Sequence, residues 1–454
     1  MEELVALAKR RGFVFPSSDI YGGLANTWDF GPYGTLLKNN IRDQWWKTFV
    51  LDREDMVGLD ASIMLSSKVW EASGHVAGFS DSLIDCKNCH FRTRADHLIE
   101  EKVEGLKVEG LSVEELTRLV KKYDIACPKC GKKDFTDVRK FNLLFETKMG
   151  IIEGEKSVLY LRGEIAQGIF LNFKNVINTM RVPFPFGIAQ QGKAFRNEIT
   201  MGQFVHRTLE FDLMEFEYFI RESEWEKTFE YWKEFMWQFA LHLGIKKESL
   251  RWREHEAFER SFYSKKTMDI EYHYPFGWKE MFGLAYRTDF DLTNHMKHSG
   301  KDLSYIDPLT KEKFVPHVVE PTFGLSRLTG IILTDAFTKE TVNGNERIVL
   351  KLSPQIAPVK AAIFPLQKDE KLSKVARELF ESMKKQYVVE YDNRGNIGKM
   401  YRRQDEIGTP YCITVDYQTL EDRKVTIRDR DTMKQERIPI DTVNEVITSR
   451  IINS

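Results

Sequence analysis

The sequence predicts an α+β protein of several domains, with a cysteine-rich insertion and a C-terminal α/β domain. Three observations predict it. The 454 residues suggest roughly three domains at about 150 residues each. Two C-x-x-C pairs bracket a charged stretch, 84–140, whose texture differs from that of its flanks. Beyond Ser353-Pro354, apolar strands and amphipathic helices alternate over about 100 residues, the pattern of a compact α/β unit.

Composition supports an ordinary globular chain. Hydrophobic residues are 42% and charged residues 30%, enough for a large core without disulfides. The 9 Trp, 16 Tyr and 31 Phe exclude disorder as the main state. With 67 basic and 68 acidic residues, a uniformly basic coat is excluded, although a local basic patch could still bind nucleic acid. No stretch reads as a membrane span or signal peptide, so a cytoplasmic protein without a membrane partner is expected.

Taken in order, residues 1–11 read as a short amphipathic helix. Gly31-Pro32 opens a second helix, with Tyr33, Leu36, Leu37, Ile41, Trp45 and Phe49 at helical spacing. Ser112 and Glu115 form a capping box for a helix over 113–123. Ser223 and Glu226 suggest another. Trp225, Phe229, Trp232, Met236, Phe239 and Leu243 then alternate at four and three, and Gly244 stops the run. That aromatic stripe reads as core. In the last domain, strands are expected at 361–365, 388–391, 411–415 and 424–428, with a helix through Leu372, Val375, Leu379 and Met383.

Two stretches carry chemistry. In 192–219, Arg196 and Glu198 would share a strand face. After a loop, Arg207 leads a second strand on which Phe211, Leu213, Glu215 and Glu217 share a face. Two antiparallel strands would point Arg196, Phe211 and Glu215 into one pocket. The Arg suits phosphate or carboxylate, and the Phe suits a flat base. A charged hairpin with ion pairs across it is the alternative. In 318–330, a strand is expected to end at Glu320, a Pro-Thr turn to follow, and Gly324, which permits close approach of a ligand, to open a helix carrying Arg327. Glu320 suits Mg²⁺. A surface turn with an exposed Arg is the alternative.

The first four cysteines, Cys86, Cys89, Cys127 and Cys130, form pairs separated by 37 residues. Four thiolates suit tetrahedral zinc; four reduced, metal-free thiols are the other reading. Cys412 lies in an expected strand and reads as core. Lys384, Lys385, Arg394, Lys399, Arg402 and Arg403 outnumber Glu390 and Asp392, which suits an RNA backbone. Tyr391, Tyr401 and Tyr411 could stack on bases or belong to the core.

Stretches 192–219 and 318–330 together resemble motifs 2 and 3 of class II aminoacyl-tRNA synthetases. That family has an Arg followed two residues later by Glu, a loop, Glu-Phe, and a Gly-rich turn bearing an Arg. Residues 12–23 (GFVFPSSDIYGG), Ser73-Gly74-His75, 161–173 (LRGEIAQGIFLNF), 194–199 (AFRNEI), 285–292 (AYRTDFDL) and 318–323 (VVEPTF) resemble its glycine-specific, homodimeric members. The likeness spans essentially the whole chain. It implies a class II antiparallel sheet with flanking helices over 1–83 and 141–350, a zinc-ribbon-like insertion over 84–140, and an anticodon-binding α/β domain over 351–454.

It also implies a ligase using ATP and Mg²⁺, with glycine, tRNA(Gly) and a second copy of the chain as partners. By resemblance, Arg196 holds the α-phosphate and the glycine carboxylate, Arg207 reaches the γ-phosphate, Phe211 and Arg327 sandwich adenine, Glu198 orients it, and Glu320 binds Mg²⁺. Glu164 and Glu215 take the glycine ammonium, aided by Thr322, with Arg287 nearby. Cys86, Cys89, Cys127 and Cys130 would hold structural Zn²⁺. A serine or threonine enzyme on the same fold is opposed by the Glu164/Glu215 pair. A non-catalytic RNA-binding relative is opposed by Arg196, Glu198, Arg207, Phe211, Glu320 and Arg327 occurring together.

Overall fold

The computed structural model describes residues 1–103, 105–108, 110–150, 157–199, 204–342 and 344–453. The middle of the expected loop after Glu198, residues 200–203, lies outside the described residues.

The central sheet is built from β1 (Met56–Leu59), β2 (Phe186–Phe195), β3 (Glu210–Ile220), β4 (Leu250–Glu254), β5 (Lys266–Tyr274), β6 (Gly277–Thr288) and β7 (His317–Gly324). Their order is β4-β5-β6-β7-β3-β2-β1. Neighbours run antiparallel except at the edge, where β1 lies parallel to β2.

Side-chain alternation gives the sheet two different faces. Met214, Phe216 and Tyr218 of β3 point to one of them. There they join Leu37, Ile41 and Trp45 of α1 (Pro32–Trp46) in the largest core cluster. Phe229, Trp232, Met236 and Phe239 come from a helix at residues 225–242, as the stripe predicted. Burying each large side chain in this cluster is worth about 1.5–3 kcal/mol. The other face receives α2 (Ala166–Met180), where Ile169, Phe170 and Phe173 pack on Phe186, Ile188 and Phe219. The odd-numbered β3 positions Phe211, Leu213, Glu215 and Glu217 belong to this second face, so carboxylates interrupt its apolar floor between Leu213 and Phe219.

The second capping box does not form. The helix begins at Trp225 after a tight turn, Glu222–Glu224, and no side chain caps it. Ser223 lies inside that turn, one position too early to serve as the cap. The box at Ser112 and Glu115 does form, with both reciprocal bonds.

The insertion stands on an antiparallel sheet of Ser80–Asp85, Arg92–Arg94 and Arg139–Asn142. Helices Ala95–Lys102 and Val113–Lys122 close a small core of Ile84, Leu98, Leu116 and Val120 over it. In the C-terminal unit, β8 (Ala361–Pro365), β9 (Val389–Tyr391), β10 (Tyr411–Val415), β11 (Lys424–Asp429) and β12 (Gln435–Pro439) are ordered β9-β8-β10-β11-β12. The first three are parallel and the rest antiparallel. No described helix is long and apolar enough to cross a membrane.

Candidate nucleotide and amino-acid site

Strand β2 ends at Phe195, so Arg196 and Glu198 do not share a strand face as expected. Asn197 N–H is drawn to the Leu143 carbonyl (2.8 Å), and Glu198 N–H folds back to the Arg196 carbonyl (2.8 Å). The turn still delivers both side chains to one cleft of about 570 Å³. Arg196, Glu198, Arg207, Phe211, Thr322 and Arg327 line it together. The Arg196 guanidinium lies 5.1 Å from the Phe79 ring and 5.4 Å from the Phe211 ring, and its Nε donates to the Gly163 carbonyl at 3.0 Å. Arg207 and Glu198 are 3.8 Å apart. Arg327, on the first turn of α3 (Leu325–Ala336), pairs with Glu280 at 2.8 Å and donates to the His206 carbonyl at 3.3 Å.

Glu164, Glu215, Arg287 and Glu320 do not line that cleft. They lie in a buried charge cluster next to it, connected through Thr322, which lines the cleft and sits opposite Glu215 across the sheet. The same register sets Glu217 across from Glu320. Carboxylate oxygens of Glu215, Glu217 and Glu320 lie within 4.8 Å of one another. Like charges directly opposite repel, and burial forbids their solvation. Burial and the neighbouring carboxylates therefore push Glu215 and Glu217 well above the usual carboxylate range. Burial likewise pushes Glu320 up to about 7, although Arg287 opposes this.

Arg287 is the counter-charge. It bonds both Asp291 oxygens (2.8 and 2.9 Å) and Glu320 Oε1 (2.8 Å), and lies 3.6 Å from Glu164. The Tyr263 ring covers it at 3.8 Å. Glu164 also receives Gln167 Nε2 at 2.8 Å and faces His75 Nε2 at 3.1 Å. Burial alone would raise the Glu164 carboxyl, but His75 and Arg287 hold it well below the ordinary range. Among the described residues, Glu215 Oε1 and both Glu217 oxygens have no hydrogen-bond partner.

Sequence reasoning assigned no role to Glu217, Gln167, Asp291, His75, Tyr263 or Glu280. Gln167 and Asp291 carried a signal, standing three and four residues after Glu164 and Arg287. Glu280 carried none, because only strand pairing brings it to Arg327.

The four insertion cysteines converge. Cys86 and Cys130 sulfurs lie 3.6 Å apart, as do those of Cys89 and Cys127, and all four fall within 4.8 Å. None forms a disulfide. Thiolates at about 2.3 Å around tetrahedral zinc stand about 3.8 Å from one another, so the set fits. Two similar turns present them: His90 N–H bonds the Cys86 carbonyl (2.9 Å), and Gly131 N–H bonds the Cys127 carbonyl (2.8 Å). Cys412 is buried in β10, and burial pushes its thiol up to about 12.

In the C-terminal unit, Lys399, Arg402 and Arg403 line an open concavity with Arg11. Tyr411 is buried, and Tyr401 bonds Thr414 at 2.7 Å, so both serve the core. The Tyr391 ring is covered by Arg377 at 3.7 Å.

Residues 360–450 match the anticodon binding domain family, and 105–143 match glycyl-tRNA synthetase insertion domain 1. A largely antiparallel sheet with an arginine-lined cleft, followed by an anticodon-binding module, belongs to the aminoacyl-tRNA synthetases. Three curated glycine–tRNA ligases narrow the class. The protein of Clostridium acetobutylicum is 54% identical over 99% of this chain and 98% of its own. That of Caldanaerobacter subterraneus subsp. tengcongensis is 52% identical over 99% and 98%. That of Geobacillus thermodenitrificans is 52% identical over 99% and 97%. The chain belongs to the glycine–tRNA ligase family.

Proposed function

We propose that the protein activates glycine with ATP and transfers it to the 3′ end of tRNA(Gly). One observation carries the reading: an arginine-lined cleft with an aromatic wall opens beside a buried carboxylate cluster whose charge suits a small ammonium. In the first step, Arg196 draws the glycine carboxylate and the ATP α-phosphate together. A carboxylate oxygen attacks the α-phosphorus, the bond to the β-phosphate breaks, and pyrophosphate leaves. Arg207 holds the γ-phosphate, Phe211 and Arg327 enclose adenine, and Glu198 orients it. In the second step, a hydroxyl of the terminal adenosine attacks the glycyl carbonyl and AMP departs. No protein nucleophile is needed, so the residues act by positioning and charge stabilisation.

Glu164 and Glu215 take the ammonium, with Thr322 and Arg287 beside them. Glu320, a hard carboxylate with Glu217 beside it, would hold Mg²⁺. The bound ion would neutralise phosphate charge. Cys86, Cys89, Cys127 and Cys130 suit structural Zn²⁺, which would tie the two ends of the insertion together.

The family reading supports a catalytic unit of 1–83 and 141–350, an insertion of 84–140 and a tRNA-binding unit of 351–454. It also supports a cytoplasmic homodimer. The test is ATP–pyrophosphate exchange without tRNA, offering glycine, alanine and serine separately. Exchange with glycine alone is expected. Exchange with alanine or serine would overturn the pocket, and none with any of them would overturn adenylation.

A further inference from the structure

Register leaves a gap in the clamp proposed for adenine. The ladder between β3 and β7 ends at the pair Leu213 and Gly324. Phe211 and Arg327 both lie beyond that last rung, on different elements. Their immediate neighbours are stapled together instead. Asp212 follows Phe211 and Ser326 precedes Arg327. The Asp212 N–H donates to Ser326 Oγ at 3.0 Å, and the Ser326 hydroxyl faces Asp212 Oδ2 at 3.4 Å.

The staple is held from a third element. Lys38 on α1 donates to Asp212 Oδ2 at 2.8 Å, while Lys193 stands 3.7 Å away. The Lys38 and Asp212 side chains are only 17% and 16% exposed, so solvent screens this pair less than a surface pair. Lys38 is also steadied over the Phe30 ring at 4.7 Å. The helix bearing it is anchored by Leu37, Ile41 and Trp45 in the main core. It is a rigid mount.

We propose that Lys38 is a positioning residue for the nucleotide, setting the gap between Phe211 and Arg327 through Asp212 and Ser326. The inference rests on the reading of those two side chains as the adenine clamp, and it adds a residue that touches no substrate. Burial would raise the Asp212 carboxyl, and Lys38 keeps it ionised and aimed at the staple. Without Lys38, the carboxylate turns toward Lys193 and Ser326 loses its fixed partner. Phe211 and Arg327 then sample a wider gap, at a cost to ATP and not to glycine, which binds on the carboxylate side of Thr322.

The experiment is ATP–pyrophosphate exchange on the full chain carrying Lys38→Met, Lys38→Arg or Ser326→Ala, with ATP and glycine varied in turn. Lys38→Met is expected to raise the KM for ATP about tenfold and leave that for glycine within about twofold. Lys38→Arg should recover most of the loss. Ser326→Ala should reproduce it, and the double variant should be no worse than either single one, because both break one device. Should Lys38→Met fail to fold, Ser326→Ala gives the same reading. An unchanged KM for ATP in the folded variants overturns the proposal. A parallel rise for both substrates without rescue by Arg does so too, since that is the mark of a merely structural residue. Absence of exchange in the unaltered chain would instead overturn the adenylation reading itself, and this proposal with it.

Discussion

Glu164 shows how a single buried charge is made tolerable. An unpaired carboxylate in an apolar interior is prohibitively costly. Here His75, Gln167 and Arg287 surround it, and they hold it ionised. Glu164→Ala is expected to abolish glycine-dependent exchange, and near-normal exchange would refute its role. The same residue makes a pH prediction. Its folded pKa lies below the ordinary 4.5. The stability it contributes is therefore complete above that value and lost as pH falls through and below it. Melting temperature followed downward from neutral pH should decline less steeply in Glu164→Gln than in the unaltered chain. Coincident slopes would disprove the linkage.

The insertion and α1 illustrate what single elements decide. The insertion has a core of its own, but a small one, and its cysteine turns lie at opposite ends of the segment. Metal at such a site is folding free energy. We expect purified protein to carry one zinc per chain, and Cys130→Ser to lose it and to melt at a lower temperature. Full zinc content in that variant would show that the four cysteines are not the site. Helix α1 is anchored at more than one point. Besides Lys38, it presents the Tyr33 hydroxyl to Glu390 in β9, and Asn40 to the carbonyls of Ile356 and Ala357 at 3.1 and 3.0 Å. It therefore bonds Asp212, which lines the nucleotide cleft, and the C-terminal unit at once. Its register was legible, because Leu37, Ile41 and Trp45 recur at the helical period. Its partners were not, because polar contacts leave no periodic trace.

Viewed whole, the molecule leaves several large apolar side chains of its N-terminal part exposed. Leu51 is 68% exposed and Met64 is 59% exposed, while Ile20 and Tyr21 of the N-terminal segment reach 89% and 87%. The homodimer proposed above would cover such side chains. Sedimentation at micromolar concentration is expected to give twice the chain mass. A monomer would refute the homodimer.

The sequence by itself determined the local pieces: period-two alternation on β3, the aromatic helix stripe, the capping box at Ser112, the two cysteine pairs and the order of the motifs. These follow from interactions between residues a few positions apart, and they are written directly in spacing. Only the tertiary structure decided that Arg196 reaches the cleft from a turn, that Glu280 meets Arg327, and that Glu217 faces Glu320. It alone decided that Lys38 meets a staple between a strand and a helix far apart in the chain. The reason is physical. Strand register and burial determine which charges become neighbours and what their ionisation costs, and both depend on residues separated by tens to hundreds of positions.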